Sequence, residues 1–151
     1  MLEVLKQALS FLQEKEGYRP AVVVLLQPTS PLRRPEQIDE AVDKLLSEKA
    51  DSVVSVVAVP HRFTPGSILR LESGRLVPYQ EGSQVLRRQD KPVLYARNGP
   101  AIVAVRAEVI LQGNSLYGEK CLPLVMSWET SVDIDDPSDL ALAELLLKDH
   151  P

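Results

Sequence analysis

The chain has 151 residues, 44% of them hydrophobic and 25% charged, a composition typical of a globular domain with a real core. Its formal net charge is −4 and it has no lysine- or arginine-rich run, so composition offers no basic face for a nucleic acid or an anionic membrane. Its only cysteine, Cys121, excludes an intrachain disulfide. No apolar run could span a bilayer and no signal peptide opens the chain, which predicts a cytoplasmic protein.

The first part of the sequence predicts helices alternating with strands. Leucines at helical spacing predict a helix from residue 2 to near Gly17. The apolar runs at 21–26 and 51–59 do not alternate, which is typical of strands covered on both faces. Between them, Pro35 opens an amphipathic helix. Strand, helix and strand in this order predict a βαβ unit, in which the two strands are parallel neighbours joined by a right-handed crossover.

The later part predicts a β-rich excursion and then a return to the sheet. Residues 67–71 and 75–79 predict a hairpin, whereas the polar stretch at 79–98 fits no element. Strands are predicted at 101–105, at 122–126 and at the alternating segment 131–135, and a helix is predicted at 137–148. We therefore predict one three-layer α/β domain over 1–151, with a Rossmann-like sheet, helices on both faces and a β-rich excursion at 60–98.

The most informative pattern is Ser131-Val-Asp-Ile-Asp-Asp-Pro-Ser-Asp-Leu140. On a strand, Asp133 and Asp135 point to the same face, with about 7 Å between them along the chain. Such a pair suits a hard divalent cation that already carries phosphate oxygens and water, and a solvated strand edge would explain the pair equally well. Asp136 stands directly before Pro137 and is predicted to be the N-cap of the last helix.

A polar, proline-braced loop, Gln27-Pro-Thr-Ser-Pro-Leu-Arg33, follows the first predicted strand. α/β sheets place their ligands at the carboxyl ends of strands. Gln27, Thr29 and Ser30 offer donors and acceptors, and Arg33 offers a charge, so these four are candidate substrate-binding residues. The alternative is that the hydroxyl groups cap a turn and the arginine is solvated.

A second candidate region lies at 87–99, where four cationic residues occur in an acidic chain. A local positive patch that faces a carboxylate or a phosphate would explain this clustering, and so would a solvated loop. Arg88, Gln89 and Asn98 are the candidate site residues here. Asn98 precedes Gly99, a common turn pair, and the turn alone could account for it.

Five segments together resemble the acylneuraminate cytidylyltransferases. They are Leu25-Leu-Gln-Pro-Thr-Ser-Pro-Leu-Arg33, Asp51-Ser-Val-Val-Ser-Val56, Arg88-Gln-Asp-Lys-Pro92, Arg97-Asn-Gly99 and the aspartate-rich segment 131–140. The resemblance runs through nearly the whole chain and implies a nucleotidyltransferase fold. It also implies that CMP is transferred from CTP to the anomeric hydroxyl of a 2-keto sugar acid, such as N-acetylneuraminate, with Mg²⁺ as cofactor and release of pyrophosphate.

The resemblance also implies roles for particular residues. Asp133 and Asp135 match the family's metal-binding pair, which would make them catalytic. Arg88 matches an arginine that reaches the sugar acid, which would make it the third catalytic residue. Gln27 matches a substrate-contacting glutamine, and Asn98 lies in a block that lines the sugar pocket. The excursion at 60–98 matches the part through which family members form homodimers.

The sequence departs from the family pattern in three places. It has no counterpart of the N-terminal strand and glycine- and lysine-containing loop that bind CTP, so we expect a truncated family member with an unpaired sheet edge. A non-catalytic remnant that dimerises or binds a sugar acid is the alternative function. Residues 60–67 lack a lysine for the sugar carboxylate, and Pro100 follows Arg97-Asn-Gly99, so a nucleotidyltransferase for another sugar acid is also possible.

Overall fold

The structure is a computed structural model that describes residues 1–80, 87–113 and 115–149. Four helices and seven strands occur in these described residues. In chain order they are α1 (Leu2–Glu16), β1 (Val22–Leu25), α2 (Pro35–Ser47), β2 (Ser52–Ala58), β3 (Leu69–Glu72), β4 (Arg75–Pro78), β5 (Tyr95–Arg97), β6 (Val103–Arg106), α3 (Ala107–Gln112), β7 (Cys121–Met126) and α4 (Pro137–Asp149).

The ends of the first two helices follow from local sequence signals. Helix α1 ends at Gly17, which has a φ of 65°, a left-handed conformation that costs glycine little. Helix α2 starts at Pro35, and the side chain of Gln37 accepts a hydrogen bond of 2.8 Å from the backbone N–H of Arg34. The amide of Gln37 also donates to Thr130 Oγ1 at 3.1 Å, which ties α2 to the segment after β7.

The main sheet has the order β1-β6-β2-β5, and β7 pairs with the other edge of β2. Strand β6 is antiparallel to both β1 and β2, since Ala104 is aligned with Val24 on one side and with Val53 on the other. Strands β1, β2 and β7 therefore run in the same direction. The prediction that β1 and β2 are neighbours is wrong, because a strand from much later in the chain is inserted between them.

Three layers are present, as predicted, and they form two hydrophobic clusters. Helix α2 covers one face of the sheet, where the buried residues include Ala41, Leu45, Val53, Ala104 and Leu124. Helices α1 and α3 cover the other face, where the buried residues include Leu9, Val54, Val103, Val105 and Ile110. Within β2 and within β6, successive residues face opposite clusters. Both faces of each strand are therefore buried, which explains the continuous apolar runs in the sequence.

Two predicted details of the fold have different outcomes. The hairpin is confirmed, because β3 and β4 form a separate two-stranded antiparallel sheet. The strand predicted at 131–135 is wrong: a short 3₁₀ turn at Glu129–Ser131 precedes an extended segment without a strand partner. Its backbone groups have other partners, since the N–H of Ile134 donates to Thr29 O at 2.8 Å and the N–H of Asp135 donates to a side chain of α4.

Strand β1 lies at one end of the sheet order, with β6 as its only strand partner among the described residues. All four of its residues are partly exposed, although the strand is entirely apolar. The expected unpaired sheet edge is therefore present at β1. In the described part of the chain, no helix has both the length and the apolar character needed to cross a membrane.

Asp51, just before β2, forms hydrogen bonds with the segment that precedes β7. Its Oδ2 atom accepts hydrogen bonds from the backbone N–H groups of Glu119 and Lys120, at 2.7 and 2.9 Å. The backbone N–H of Lys120, that of Glu119 and the charge of Arg106 hold the pKa of the Asp51 carboxyl below its ordinary value of 3.8. A Cβ atom at Gly118 would lie 2.4 Å from Asp51 Cβ, so the contact also requires a glycine there.

We predict that Asp51→Asn lowers the melting temperature at pH 7 and that the difference from the parent disappears in acid. The folded state lowers the pKa of Asp51, so the charge stabilises the fold above the unfolded pKa and this contribution is lost as pH falls through the folded pKa. Thermal unfolding followed by circular dichroism from pH 7 to about pH 2 checks this. Asp43→Asn, on an exposed position of α2, is the control, and a difference that is constant with pH would contradict the assignment.

Candidate functional site

Three loops meet at one edge of the sheet. Because β1 and β7 are parallel, their carboxyl ends lie at the same edge, and there the chain continues into residues 26–34 and 127–136. The loop at 98–102 lies at the same edge, because it leads into β6. The first residue of β6, Val103, pairs with the last residue of β1, Leu25. This edge is the candidate functional site.

The loop after β1 is held by its own arginine. Arg33 Nη1 donates to the backbone carbonyls of Gln27 and Ser30, at 2.5 and 2.7 Å. Arg33 therefore stabilises the conformation of this loop through hydrogen bonds to its backbone. Gln27 and Thr29 are half-buried, and their side chains have no hydrogen-bond partner among the described residues, which leaves both side chains available to a ligand.

Ser30, Gly99 and Asp133 bring one residue from each of the three loops into contact. Ser30 is fully buried, and its Oγ donates to Asp133 Oδ1 at 3.4 Å. Gly99 has a φ of 89°, and a Cβ atom there would lie 3.0 Å from Asp133 Oδ2 and 3.1 Å from Ser30 Oγ. Sequence reasoning treated Gly99 only as half of a turn pair, although its lack of a side chain is what lets the carboxylate approach the loop.

Asn98 joins the same edge from the end of β5. It is 5% exposed, and its Nδ2 donates to Ser131 Oγ at 2.8 Å, while Ser131 Oγ donates to the carbonyl of Ser127 at 2.6 Å. Asn98 therefore does more than form a turn, because it ties β5 to the segment after β7. Its Oδ1 atom is buried and has no partner within the described residues, which leaves a buried acceptor for a ligand or a water molecule.

The carboxylates at 133–139 divide into two functional pairs. Asp136 Oδ1 accepts from the backbone N–H groups of Ser138 and Asp139, at 2.7 and 3.2 Å, and Asp139 Oδ2 accepts from the N–H groups of Asp135 and Asp136. The backbone N–H of Asp139, followed by that of Ser138, lowers the pKa of Asp136. The predicted N-cap is thus confirmed, and Asp133 and Asp135 remain available as ligands.

The available donors suit an open cation site. Asp133 is half-buried and Asp135 is exposed. No cluster of three or more His, Cys, Asp or Glu side chains occurs in residues 1–80, 87–113 and 115–149, so a closed protein cage is absent from this part of the chain. Mg²⁺ commonly takes only one or two carboxylates and fills its other positions with phosphate oxygens and water. Asp133 and Asp135 are therefore donors of the kind that an open divalent-cation site uses.

The structure does not bring every candidate residue to this edge. The backbone of Arg88 belongs to a short 3₁₀ turn, Arg88–Asp90, but its side chain is outside the described part of the structure. Gln89 lines a different cavity, in the excursion, together with Lys91. The sequence pattern grouped Gln89 with Asn98, whereas Gln89 lines a cavity of the excursion and Asn98 contacts Ser131 at the sheet edge.

Comparison with known proteins identifies relatives over most of the chain. No protein-family model matches it. It is 37% identical over 128 residues to CMP-N,N'-diacetyllegionaminic acid synthase of Legionella pneumophila, which covers 83% of this chain and 53% of the relative. It is 33% identical over 138 residues to N-acylneuraminate cytidylyltransferase of Streptococcus agalactiae, which covers 91% of this chain and 32% of the relative. The chain thus spans about half of the first relative's length and about a third of the second's.

A solved structure has the same fold. CMP:2-keto-3-deoxy-manno-octonic acid synthetase, determined with CTP, matches 97% of this chain and 69% of that chain, with a TM-score of 0.61 and 14% sequence identity. The architecture is therefore that of a nucleotidyltransferase. Within this class, and over the part of the relatives that it spans, the chain belongs to the acylneuraminate cytidylyltransferase family.

We predict that Gly99→Ala destabilises the fold more than Gly74→Ala does. Both glycines have positive φ, 89° and 79°, so alanine is strained at either position by about 1 kcal/mol. Only at Gly99 does the added Cβ also meet Ser30 and Asp133, whereas Gly74 has nothing within 4 Å. Chemical unfolding of the two variants measures the difference, and equal destabilisation would show that Gly99 does not pack against the aspartate.

Proposed function

We propose that this chain provides the sugar-acid and metal-binding part of a cytidylyltransferase that transfers CMP from CTP to the anomeric hydroxyl of a nonulosonate. The observation that carries the proposal is the contact of Asp133 with Ser30 and Gly99. It places a half-buried carboxylate beside the loop that bears Gln27 and Thr29, at the sheet edge where α/β folds bind ligands. The homology supports the reaction type.

In this mechanism the protein positions the reactants and stabilises charge. The anomeric oxygen forms a bond to the α-phosphorus while the bond from that phosphorus to the pyrophosphate oxygen breaks. Asp133 and Asp135 would hold Mg²⁺, which neutralises charge on the phosphate oxygens when bound. Ser30 orients Asp133, Arg33 keeps the loop in shape, and the buried Oδ1 of Asn98 accepts a hydrogen bond from a substrate hydroxyl.

The names of the relatives indicate the class of sugar acid. The Legionella relative is a synthase for CMP-N,N'-diacetyllegionaminic acid and the streptococcal relative acts on N-acylneuraminate, so both names describe nine-carbon acids with N-acyl groups. We propose an N-acylated nonulosonate as the substrate of this chain. The alternative function, a binding module of this family without catalysis, is an outcome of the titration described below.

We predict that the purified chain binds CTP in the presence of Mg²⁺ and that Asp133→Asn or Asp135→Asn weakens binding about tenfold or more. Loss of a charged ligand removes at least about 1.4 kcal/mol of binding free energy, which corresponds to a factor of ten. Isothermal titration calorimetry with and without Mg²⁺ checks this, with Asp43→Asn as the control. Heat that is unchanged in the variants would contradict the metal assignment, and no heat in any protein would favour the binding module.

We propose that the excursion mediates homodimerisation. In the β3–β4 hairpin, Leu69 is opposite Pro78 and Leu71 is opposite Leu76, so these four apolar side chains share one face. All four are exposed, and Leu71 and Leu76 are 73% and 69% exposed. A lone hairpin is marginally stable, and an apolar face of this kind is typical of an interface. A second copy of the chain would cover it.

We predict that the double variant Leu71→Gln and Leu76→Gln shifts the protein from dimer to monomer. The two glutamines place polar amides in the centre of the apolar face, where a partner hairpin would have to desolvate them. Light scattering coupled to size-exclusion chromatography measures the mass. Leu145→Gln, at a 57% exposed position on α4, is the matched control. A dimer that survives the double variant would exclude the hairpin as the interface.

A further inference from the structure

One face of β7 is apolar and open. Leu124 and Met126 point to the α2 side of the sheet and are buried there. Cys121, Pro123 and Val125 alternate with them, so they point to the other side, where all three are exposed. Helices α1 and α3 lie on that side, but among the described residues no residue of β7 belongs to the hydrophobic cluster beneath them.

This open face contains a cavity of about 330 Å³. Its apolar wall includes Val56, Leu122 and Pro123, and its lining also includes Tyr117, Cys121 and Arg97. Arg97 is the only charged residue that lines it. Small-molecule sites have volumes of roughly 300–1,000 Å³ and combine apolar walls with a few polar groups, so this cavity suits a compact ligand.

Arg97 faces this cavity, whereas the next residue faces the opposite side of the sheet. Arg97 is aligned with Val56 in the pairing of β5 with β2. Asn98 instead donates through Nδ2 to Met126 Sδ at 3.5 Å, on the α2 side. Successive residues of an extended chain point to opposite faces. The cavity is therefore separate from the sheet edge that bears Asp133.

The guanidinium of Arg97 is held against Tyr117. Its Cζ atom lies 5.4 Å from the centre of the tyrosine ring, and its Nη1 donates to the phenol oxygen at 2.5 Å. The backbone of Tyr117 is held in turn, since its carbonyl accepts from the fully buried Ser52 and its N–H donates to Ser115 Oγ at 3.1 Å. The cation is thus positioned before a ligand arrives, which lowers the entropic cost of binding.

Most of the hydrogen-bonding capacity of this pair is unused. Arginine offers several N–H donors in a planar fork, and among the described residues only the bond from Nη1 to Tyr117 is formed. No carboxylate of the described residues forms an ion pair with Arg97. The hydroxyl of Tyr117 accepts from Arg97, and its own proton has no acceptor in the described part of the chain. A planar carboxylate can accept from both groups at once.

We propose that this cavity binds a small carboxylic acid with a compact apolar body. The carboxylate accepts hydrogen bonds from Arg97 and from the hydroxyl of Tyr117, and the apolar body lies against Val56, Leu122 and Pro123. A phosphate dianion fits less well, because its second charge would meet no second cation in the lining. This ligand site uses no residue of the nucleotide–metal edge and does not rest on the proposed function.

Cys121 makes the occupancy of the cavity measurable. It is the only cysteine of the chain, it is exposed and it lines the cavity. Benzoate is the probe, and the rate at which uncharged iodoacetamide alkylates Cys121 is the readout. At a benzoate concentration about ten times its Kd, we expect alkylation to be about tenfold slower, because only the unoccupied fraction reacts.

Two further probes separate the contributions of the charge and of the apolar body. Benzamide keeps the ring without the charge, and acetate keeps the charge without the ring. We expect each of them to bind about tenfold more weakly than benzoate, because each lacks one of the two kinds of contact.

Matched variants connect the preference for an acid to Arg97. We expect Arg97→Met to bind benzoate no more tightly than benzamide. Arg97→Lys is expected to restore part of the preference, since lysine keeps the charge but not the planar fork. Arg19→Met, at an exposed position after α1, is the control and is expected to keep the parent's preference. Thermal unfolding verifies that each variant is folded.

Three results would overturn the inference. If benzoate leaves the alkylation of Cys121 unchanged, the cavity does not bind such an acid. If benzamide protects Cys121 as well as benzoate does, or if Arg97→Met keeps the preference, Arg97 does not recognise the carboxylate. If Cys121 reacts only in the Leu71→Gln and Leu76→Gln double variant, a second copy of the chain covers this face. The CTP titrations test the proposed function separately.

Discussion

The candidate site depends on the insertion of β6 between β1 and β2. Ala104 is aligned with Val24 on one side and Val53 on the other, so β6 joins the two halves of the sheet. This pairing places the start of β6 beside the end of β1, and with it the turn at 98–102 beside the loop that bears Ser30. Without β6, the buried serine and the glycine that contact Asp133 would not share an edge of the sheet.

At that edge, four aspartates in one short segment have different tasks because their backbone environments differ. Asp136 accepts from open N–H groups at the start of α4, and these hydrogen bonds lower its pKa. Asp139 accepts from the N–H groups of Asp135 and Asp136, just before the helix. Asp133 and Asp135 are not used in the cap. Helix formation thus leaves one pair of carboxylates outside the cap.

The excursion lies outside the main sheet, because its hairpin forms a separate two-stranded sheet. Its hairpin exposes one apolar face, which we propose is covered by a second copy of the chain, and Lys91 lines two cavities elsewhere in the excursion. The two features use different residues and can be tested independently.

The sequence by itself determined the elements whose signals are local: α1, α2, the buried strands, the hairpin and the N-cap at Asp136. It also identified the family, because the motifs are contiguous. Only the tertiary structure decided that β6 separates β1 from β2, that 131–135 is not a strand, that Asn98 binds Ser131, and that Lys91 reaches Ser67. The physical reason is that periodicity and capping arise from neighbours along the chain, whereas strand order and side-chain contacts depend on residues far apart in sequence that compete for the same partners.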